Sequence, residues 1–186
     1  KSNLAMGGRG NERISFTTKL WFEQNGYIDT FAVIGWSSMM RNDYVTNDGW
    51  KKGRIPNMDL TWRSWKLTDN LDFTKKQIAW DIENTLVMKF LDNVLDLQNY
   101  FLLHKIPYVM FNSLPNYMTA GSSDFKTFSK AINMERFYNP EQSHLEFIQK
   151  NNLIVSPKDP HPSTEGHKSW AKQLKEYIDA NNLRTI

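Results

Sequence analysis

The 186-residue sequence contains no cysteine, which excludes disulfides, thiolate metal ligands and a cysteine nucleophile. It has no apolar run near the roughly 18 residues that predict a membrane span, and Lys1-Ser2-Asn3-Leu4-Ala5 does not have the pattern of a signal peptide. We therefore expect a soluble protein with no membrane partner. Serine, threonine, histidine and carboxylates remain for nucleophilic or acid–base chemistry.

Neither sign of charge predominates. The 23 basic and 20 acidic residues are scattered along the chain and give a net charge of +3. No cluster of like charges predicts a nucleic-acid partner. The length and the 40% hydrophobic content fit a single domain over residues 1–186. The chain begins without methionine, so we expect further sequence to precede it in the gene product.

Apolar runs at 31–36, 106–112 and 153–155 predict strands, the first of them central and buried on both faces. Helical patterns lie between and around these runs. The first follows Asn11 as N-cap, and the second extends from a capping box at 74–77 to before Pro107. The third covers 142–150, and a closing helix lies around 170–178. Residues 113–140 are irregular. The alternation predicts the α/β class, with a parallel sheet covered on both faces and ligand sites beyond the carboxyl ends of its strands.

Residues 37–73 show no sustained period, and we interpret them as a loop-rich insert that acts as a lid or a binding element. Trp36, Trp50, Trp62 and Trp65 gather around this insert. Core packing is the commoner fate of any single tryptophan, but the group predicts contact with a substrate or a partner.

The segment from Asp159 to His167 could contain a catalytic base. Asp159 lies two residues before His161, and the prolines limit both backbones. The carboxylate can therefore hold the imidazole in one tautomer and stabilise its protonated form. Alternatives stay open: His161 as a solvated loop residue, and Asp159 as a turn cap. His167 is expected to cap or pack the closing helix. Asp159, His161 and His167 could together bind a metal ion, but the sequence shows no further ligands for such a site, so we expect no metal.

Gly7, Gly8 and Gly10 could cradle a phosphate, yet no Walker lysine follows and a tight turn explains them equally well. We therefore expect no cofactor.

Taken in order, these segments resemble the SGNH (GDSL-like) hydrolases. Asn3-Leu4-Ala5-Met6-Gly7-Gly8 is similar to the family's second block, Ile34-Gly35-Trp36-Ser37 occupies the place of the third, and Asp159 to His161 that of the fifth. Gly-Trp-Ser-Ser followed by Arg41, with Asp-x-His-Pro-Ser-x-x-Gly-His, looks most like the small SGNH-like proteins of tailed bacteriophages. The resemblance covers roughly residues 3–41 and 153–178.

The resemblance implies a three-layer α/β/α sandwich, flavodoxin-like in outline, and ester hydrolysis or deacetylation through a serine acyl-enzyme. It implies His161 as base, Asp159 as its orienting group, and Gly8 and Ser37 as oxyanion donors. For substrate binding we name Arg41, Trp36 and Asn11, and an acylated carbohydrate as the substrate.

The chain departs from the family in three ways. The opening Gly-Asp-Ser block should lie before Lys1, Ser37 stands where the family usually has Asn, and Asp and His are two positions apart instead of three. The alternative function is a non-catalytic SGNH-like structural or binding module, in a virion with neighbouring proteins as partners. Location is expected to be cytoplasmic or virion-associated.

Overall fold

A computed structural model describes residues 2–5, 8–46, 61–66, 82–116 and 129–185, and over these the chain is mixed α/β. The described helices are α1 (Asn11–Asn25), α2 (Ile82–Leu103), α3 (His144–Lys150) and α4 (Thr164–Ala180). The described strands are β1 (Ala32–Trp36), β2 (Arg41–Thr46), β3 (Thr61–Lys66), β4 (Tyr108–Asn112), β5 (Phe137–Tyr138), β6 (Ile154–Ser156) and β7 (Asp159–Pro162). None of the described helices is long and apolar enough to cross a membrane.

Three strands form a parallel sheet in the order β1-β4-β5. Ala32 pairs with Tyr108 and Trp36 with Asn112, so the carboxyl ends of β1 and β4 are level. The prediction that β1 is central is wrong for the described strands, since β4 takes that place. The prediction that β1 is buried on both faces is also wrong, because Val33 is 48% exposed.

Alternate residues of the sheet belong to different hydrophobic clusters, as expected because successive side chains of a strand point to opposite faces. Ile34, Trp36, Tyr108, Met110 and Phe137 pack with Phe22 of α1 and with α2 residues that include Phe90 and Leu97. Val109, Phe111 and Tyr138 pack instead with α4 residues Trp170, Leu174 and Ile178 and with α3 residues Phe147 and Ile148.

Within the predicted insert, β2 and β3 form an antiparallel hairpin in which Arg41 pairs with Lys66 and Thr46 with Thr61. Residues 47–60 and 67–73 of the insert lie outside the described residues. The hairpin is joined to α1, because the Gly10 N–H donates to Asp43 Oδ2 at 2.7 Å. A Cβ at Gly10 would lie 2.9 Å from the Arg41 carbonyl oxygen, so glycine permits this approach.

The helices around the described sheet agree well with the sequence patterns. α1 begins at Asn11, α2 ends before Pro107, α3 falls within the predicted 142–150, and α4 includes the predicted 170–178 but begins earlier, at Thr164. The capping box predicted at 74–77 lies outside the described residues. The Asp-Pro-His-Pro segment, interpreted as a loop, forms β7 and pairs with β6.

Candidate functional site

The carboxyl edge of the parallel sheet collects the loops that follow β1 and β4. The Ser113 N–H donates to the Trp36 carbonyl at 2.8 Å, and the Leu145 N–H of α3 donates to the Ser113 carbonyl at 3.2 Å. The first residue of α1 reaches the same edge, where Asn11 Oδ1 accepts the Ser37 N–H at 2.9 Å. Ser37 and Asn11, which are 26 positions apart in sequence, therefore meet at the end of β1.

The segment with Asp159 and His161 lies toward the same edge because of the direction of α4. Near the end of α4, Tyr177 donates to the Glu135 carbonyl just before β5, at 2.8 Å. One turn earlier, Tyr138 at the end of β5 donates to Gln173 at 3.2 Å. The helix thus runs antiparallel to β5, and its first residues, with β7 before them, lie toward the carboxyl ends of the strands.

The amide side chains of Asn112 and Asn116 tie the two loops together. Asn116 Nδ2 donates to the Ser37 carbonyl at 2.8 Å and to Asn112 Oδ1 at 3.1 Å, while its own oxygen accepts the Met39 N–H at 2.8 Å. Asn112 Nδ2 continues the network to the Pro140 carbonyl at 3.3 Å. Because each partner is a fixed backbone or amide group, the network positions Ser37 rigidly.

Ser37 and Asn11 are more buried than their predicted roles suggest. Ser37 is 6% exposed, and its Oγ has no hydrogen-bond partner among the described residues. Asn11 is 3% exposed, and the prediction that it caps α1 is wrong, because Gly10 is the N-cap and makes no side-chain hydrogen bond. The Asn11 side chain is used by the Ser37 amide instead.

Trp36 is a core residue, and its burial contradicts its predicted place among the substrate-binding residues. Its ring is 0% exposed and packs edge to face against Phe90, with 6.1 Å between centroids. Trp62 is buried as well, 5.6 Å from the ring of Phe16. Both tryptophans are therefore packed inside the protein, which Sequence analysis gave as the commoner fate of a single tryptophan. Trp50 and the side chain of Trp65 lie outside what the structure describes.

Gly8 and Arg41 lie on the same side of the molecule as the end of β1. Gly8 is exposed and has φ +83°, a left-handed conformation that favours glycine. It precedes α1 by three residues, so its peptide lies near the start of that helix. Arg41 opens β2, is half-buried, and donates its backbone N–H to the Ser38 carbonyl at 3.0 Å.

Asp159 and His161 form a hydrogen-bonded pair, with 2.6 Å between Asp159 Oδ1 and His161 Nδ1. The same oxygen accepts the His161 backbone N–H at 3.2 Å. A carboxylate only accepts hydrogen bonds, so Nδ1 carries a proton, and in the neutral ring Nε2 is then the nitrogen with the free lone pair. The hydrogen bonds from His161 lower the pKa of Asp159. The side chains are 84% and 48% exposed for His161 and Asp159 respectively.

The sequence reasoning missed His144, the first residue of α3. Its half-buried ring lies 5.4 Å from His167 and 5.1 Å from Trp170, and its Nε2 is buried without a partner among the described residues. Burial, followed by the proximity of His167, lowers the pKa of His144 to about 4. No sequence signal marks this residue, because its environment comes from tertiary packing. Among the described residues, no group of three or more His, Asp or Glu could hold a metal ion.

Comparisons with protein-family models, curated proteins and solved structures find no match for this chain. The site contains two hydrogen-bonded pairs of residues, Asn11 with Ser37 and Asp159 with His161. Within the described residues, no hydrogen bond links one pair to the other.

Proposed function

We propose that the chain adopts a three-layer α/β/α sandwich of SGNH type. Support comes from the parallel order β1-β4-β5 and from the alternation of strand residues between two helical environments. Further support comes from the order of the segments at the carboxyl edge. The loop after β1, the loop after β4 and the late histidine follow one another along the chain in the order that the resemblance implies. The arrangement is that of α/β proteins whose ligands bind beyond the carboxyl ends of the strands.

We propose further that the protein is a serine-dependent ester hydrolase or deacetylase with His161 as general base. The observation that carries this proposal is the 2.6 Å hydrogen bond between Asp159 and His161, which fixes Nε2 as the acceptor. A serine hydroxyl would give its proton to Nε2 as its oxygen bonds to the acyl carbon. The imidazolium would then protonate the leaving alcohol as the C–O bond breaks, and water would hydrolyse the acyl-enzyme by the same proton transfers in reverse order.

The nucleophile is the part of this mechanism that the described residues do not supply, since none of their serines is hydrogen-bonded to His161. The family's nucleophile lies in a Gly-Asp-Ser turn, and the sequence contains no such tripeptide. We propose that the nucleophile is a serine that lies outside the described residues. Gly8 N–H would be one of the donors to the oxyanion.

We propose a small acyl ester as the substrate, with an acylated carbohydrate as the candidate class. The burial of Trp36 and Trp62 removes part of the argument for sugar stacking. Tyr44, an exposed aromatic on β2, is a described side chain that could take that role.

The test uses the natural full-length protein, a fluorophosphonate probe and p-nitrophenyl acetate. We expect one serine to be labelled, mapped by mass spectrometry, and His161→Ala to reduce both labelling and kcat by at least about 10³-fold. His167→Ala is the matched control, because it removes another exposed imidazole six positions away and should leave turnover unchanged. Undiminished turnover in His161→Ala would refute the base assignment.

The second candidate function is a non-catalytic binding module, and the exposed apolar side chains of the β2 region favour it. Met40, Tyr44 and Val45 are exposed, although apolar side chains normally seek burial. A protein contact at this hairpin would cover them. Absence of labelling and of turnover in the full-length protein would support this candidate over the hydrolase.

A further inference from the structure

Arg13, in the first turn of α1, is the most unusual charged side chain among the described residues. It is 7% exposed, and its Nε is buried without a hydrogen-bond partner in the part of the chain that the structure describes. No ion pair joins it to a described carboxylate. An arginine keeps its charge inside a protein, and a buried charge without a partner is strongly unfavourable. A bound anion would supply the missing partner.

Arg9 brings a second guanidinium to the same face of α1. Its Nη1 donates to Thr17 Oγ1 at 3.3 Å and to the Leu4 carbonyl at 2.9 Å, and Thr17 Oγ1 donates in turn to the Arg13 carbonyl at 2.7 Å. Residues four apart lie on one face of a helix, so Arg9 extends along the face that bears Arg13 and Thr17. Burial, followed by the proximity of Arg13, lowers the pKa of Arg9. Two guanidinium groups are therefore close together in a partly desolvated place.

The carboxylates near this pair leave an excess of positive charge. Asp43 raises the pKa of Arg9, and its Oδ2 also accepts the Gly10 N–H at 2.7 Å. The charges next to the Glu12 carboxylate are those of Asp43 and Lys89, and burial raises the pKa of Glu12. One carboxylate beside two guanidinium groups leaves one positive charge uncompensated at the start of α1.

We infer that Arg9 and Arg13 form a binding site for an oxyanion group, either a phosphate or a carboxylate. A guanidinium matches both groups, because it can donate two parallel N–H bonds to their oxygens. Helical side chains lean toward the N-terminus, so Arg13 points to the end of α1 where the partial charge of the helix is positive. Arg9 is half-buried and Gly8 is exposed, so the anion enters from the loop that precedes α1.

The site is independent of the hydrolase proposal, because it concerns binding alone. Arg13 lies two positions after Asn11, whose side chain accepts the Ser37 N–H at the end of β1. In the proposed hydrolase, the oxyanion would be a substituent of the substrate, and this extension alone rests on the proposed function.

The test follows the arginine Nε–H signals of ¹⁵N-labelled full-length protein by NMR. Inorganic phosphate or acetate is added at an ionic strength held constant with chloride, so that general screening does not change. We expect a saturable shift of the Arg13 and Arg9 signals, half complete at about 1 mM or below. The probe that binds more tightly identifies the oxyanion as a phosphate or a carboxylate group. No saturable shift with either probe would overturn the site.

Two variants show whether the shift depends on Arg13. With the Arg9 signal as the readout, Arg13→Met should weaken binding of the probe at least about tenfold, because one of the two forks is lost. Arg184→Gln is the matched control, since it removes an exposed guanidinium that lies 3.6 Å from Asp179 and should leave binding within about twofold of wild type. Equal binding in Arg13→Met and wild type would contradict the assignment.

Melting temperatures distinguish a ligand-binding arginine from a structural one. In chloride buffer, Arg13→Met should melt at or above the wild-type temperature, because methionine fills much of the same space without a buried charge. Addition of the tighter-binding probe should raise the melting temperature of wild type more than that of Arg13→Met. A lower melting temperature of Arg13→Met, with no gain from the probe in wild type, would show that Arg13 has an internal partner and would overturn the site.

Discussion

Gly166→Ala should destabilise the protein, although alanine is the better helix former. Gly166 lies in the first turn of α4, where its N–H donates to the Ser163 Oγ cap at 3.1 Å. A Cβ there would lie 2.6 Å from the Leu153 carbonyl oxygen and 2.8 Å from Ile148 Cδ1. The carbonyl cannot withdraw cheaply, because it accepts both the N–H and the Oγ–H of Ser163 at 2.9 and 2.8 Å.

The magnitudes decide the sign of this effect. Helix propensity favours alanine by at most about 1 kcal/mol, whereas overpacking costs about 1–3 kcal/mol and each weakened hydrogen bond about 1 kcal/mol more. We expect a net loss of about 1–3 kcal/mol, measured by urea unfolding, and a melting temperature lower by about 3–10 °C. Lys168→Ala, on the exposed face of α4, should stay within about 0.5 kcal/mol of wild type. A Gly166→Ala protein as stable as wild type would contradict this prediction.

Two further predictions concern α3. Burial lowers the pKa of His144 to about 4, below its usual 6.5, so the unfolded state binds more protons and stability should fall as pH decreases from about 6.5 to 4. The full shift corresponds to about 3 kcal/mol, and solvent around the half-buried ring reduces it to about 1–2 kcal/mol. His144→Gln should flatten that part of the pH–stability curve, and an unchanged slope would contradict the assignment. Ser143→Ala removes the capping box with Glu146 and should lower the free energy of unfolding, measured with urea, by about 1 kcal/mol. An unchanged free energy of unfolding would contradict this prediction.

Apolar periodicity was sufficient to predict most of the described helices, but it did not predict strand order or pairing. β2 begins Arg-Asn-Asp-Tyr, which lacks apolar alternation, so only its pairing with β3 reveals a strand. β7 contains two prolines, which normally argue against a strand. They are tolerated here because β7 lies in a two-stranded hairpin, where few backbone donors are needed. The edge position of β1 in the described sheet depends on contacts that no local pattern encodes.

The candidate site was predictable where its residues are close in sequence. Asp159 and His161 are two positions apart, and residue types alone indicated their hydrogen bond. The contacts of Asn116 with Met39 and Ser37 span 77 and 79 positions, which placed them beyond local reasoning. Trp36 ends an apolar run and borders a polar segment, so its sequence fits both a core and a surface position until its contact with Phe90 of α2 is known.

The exposure of His161 distinguishes the two proposed functions physically. An imidazole whose side chain is 84% exposed is solvated by water, and a base in water gains little from a preorganised environment. The hydrolase therefore requires that substrate, or the segment bearing the serine, covers Nε2 while the Asp159 hydrogen bond holds Nδ1. A binding module has no such requirement. Cover that excludes water at this edge would also strengthen an oxyanion donor at Ser37, since electrostatic interactions grow as the local dielectric falls. In the hydrolase, the contributions of His161 and Ser37 to kcat should therefore be coupled, and the losses in kcat should not add in a double variant.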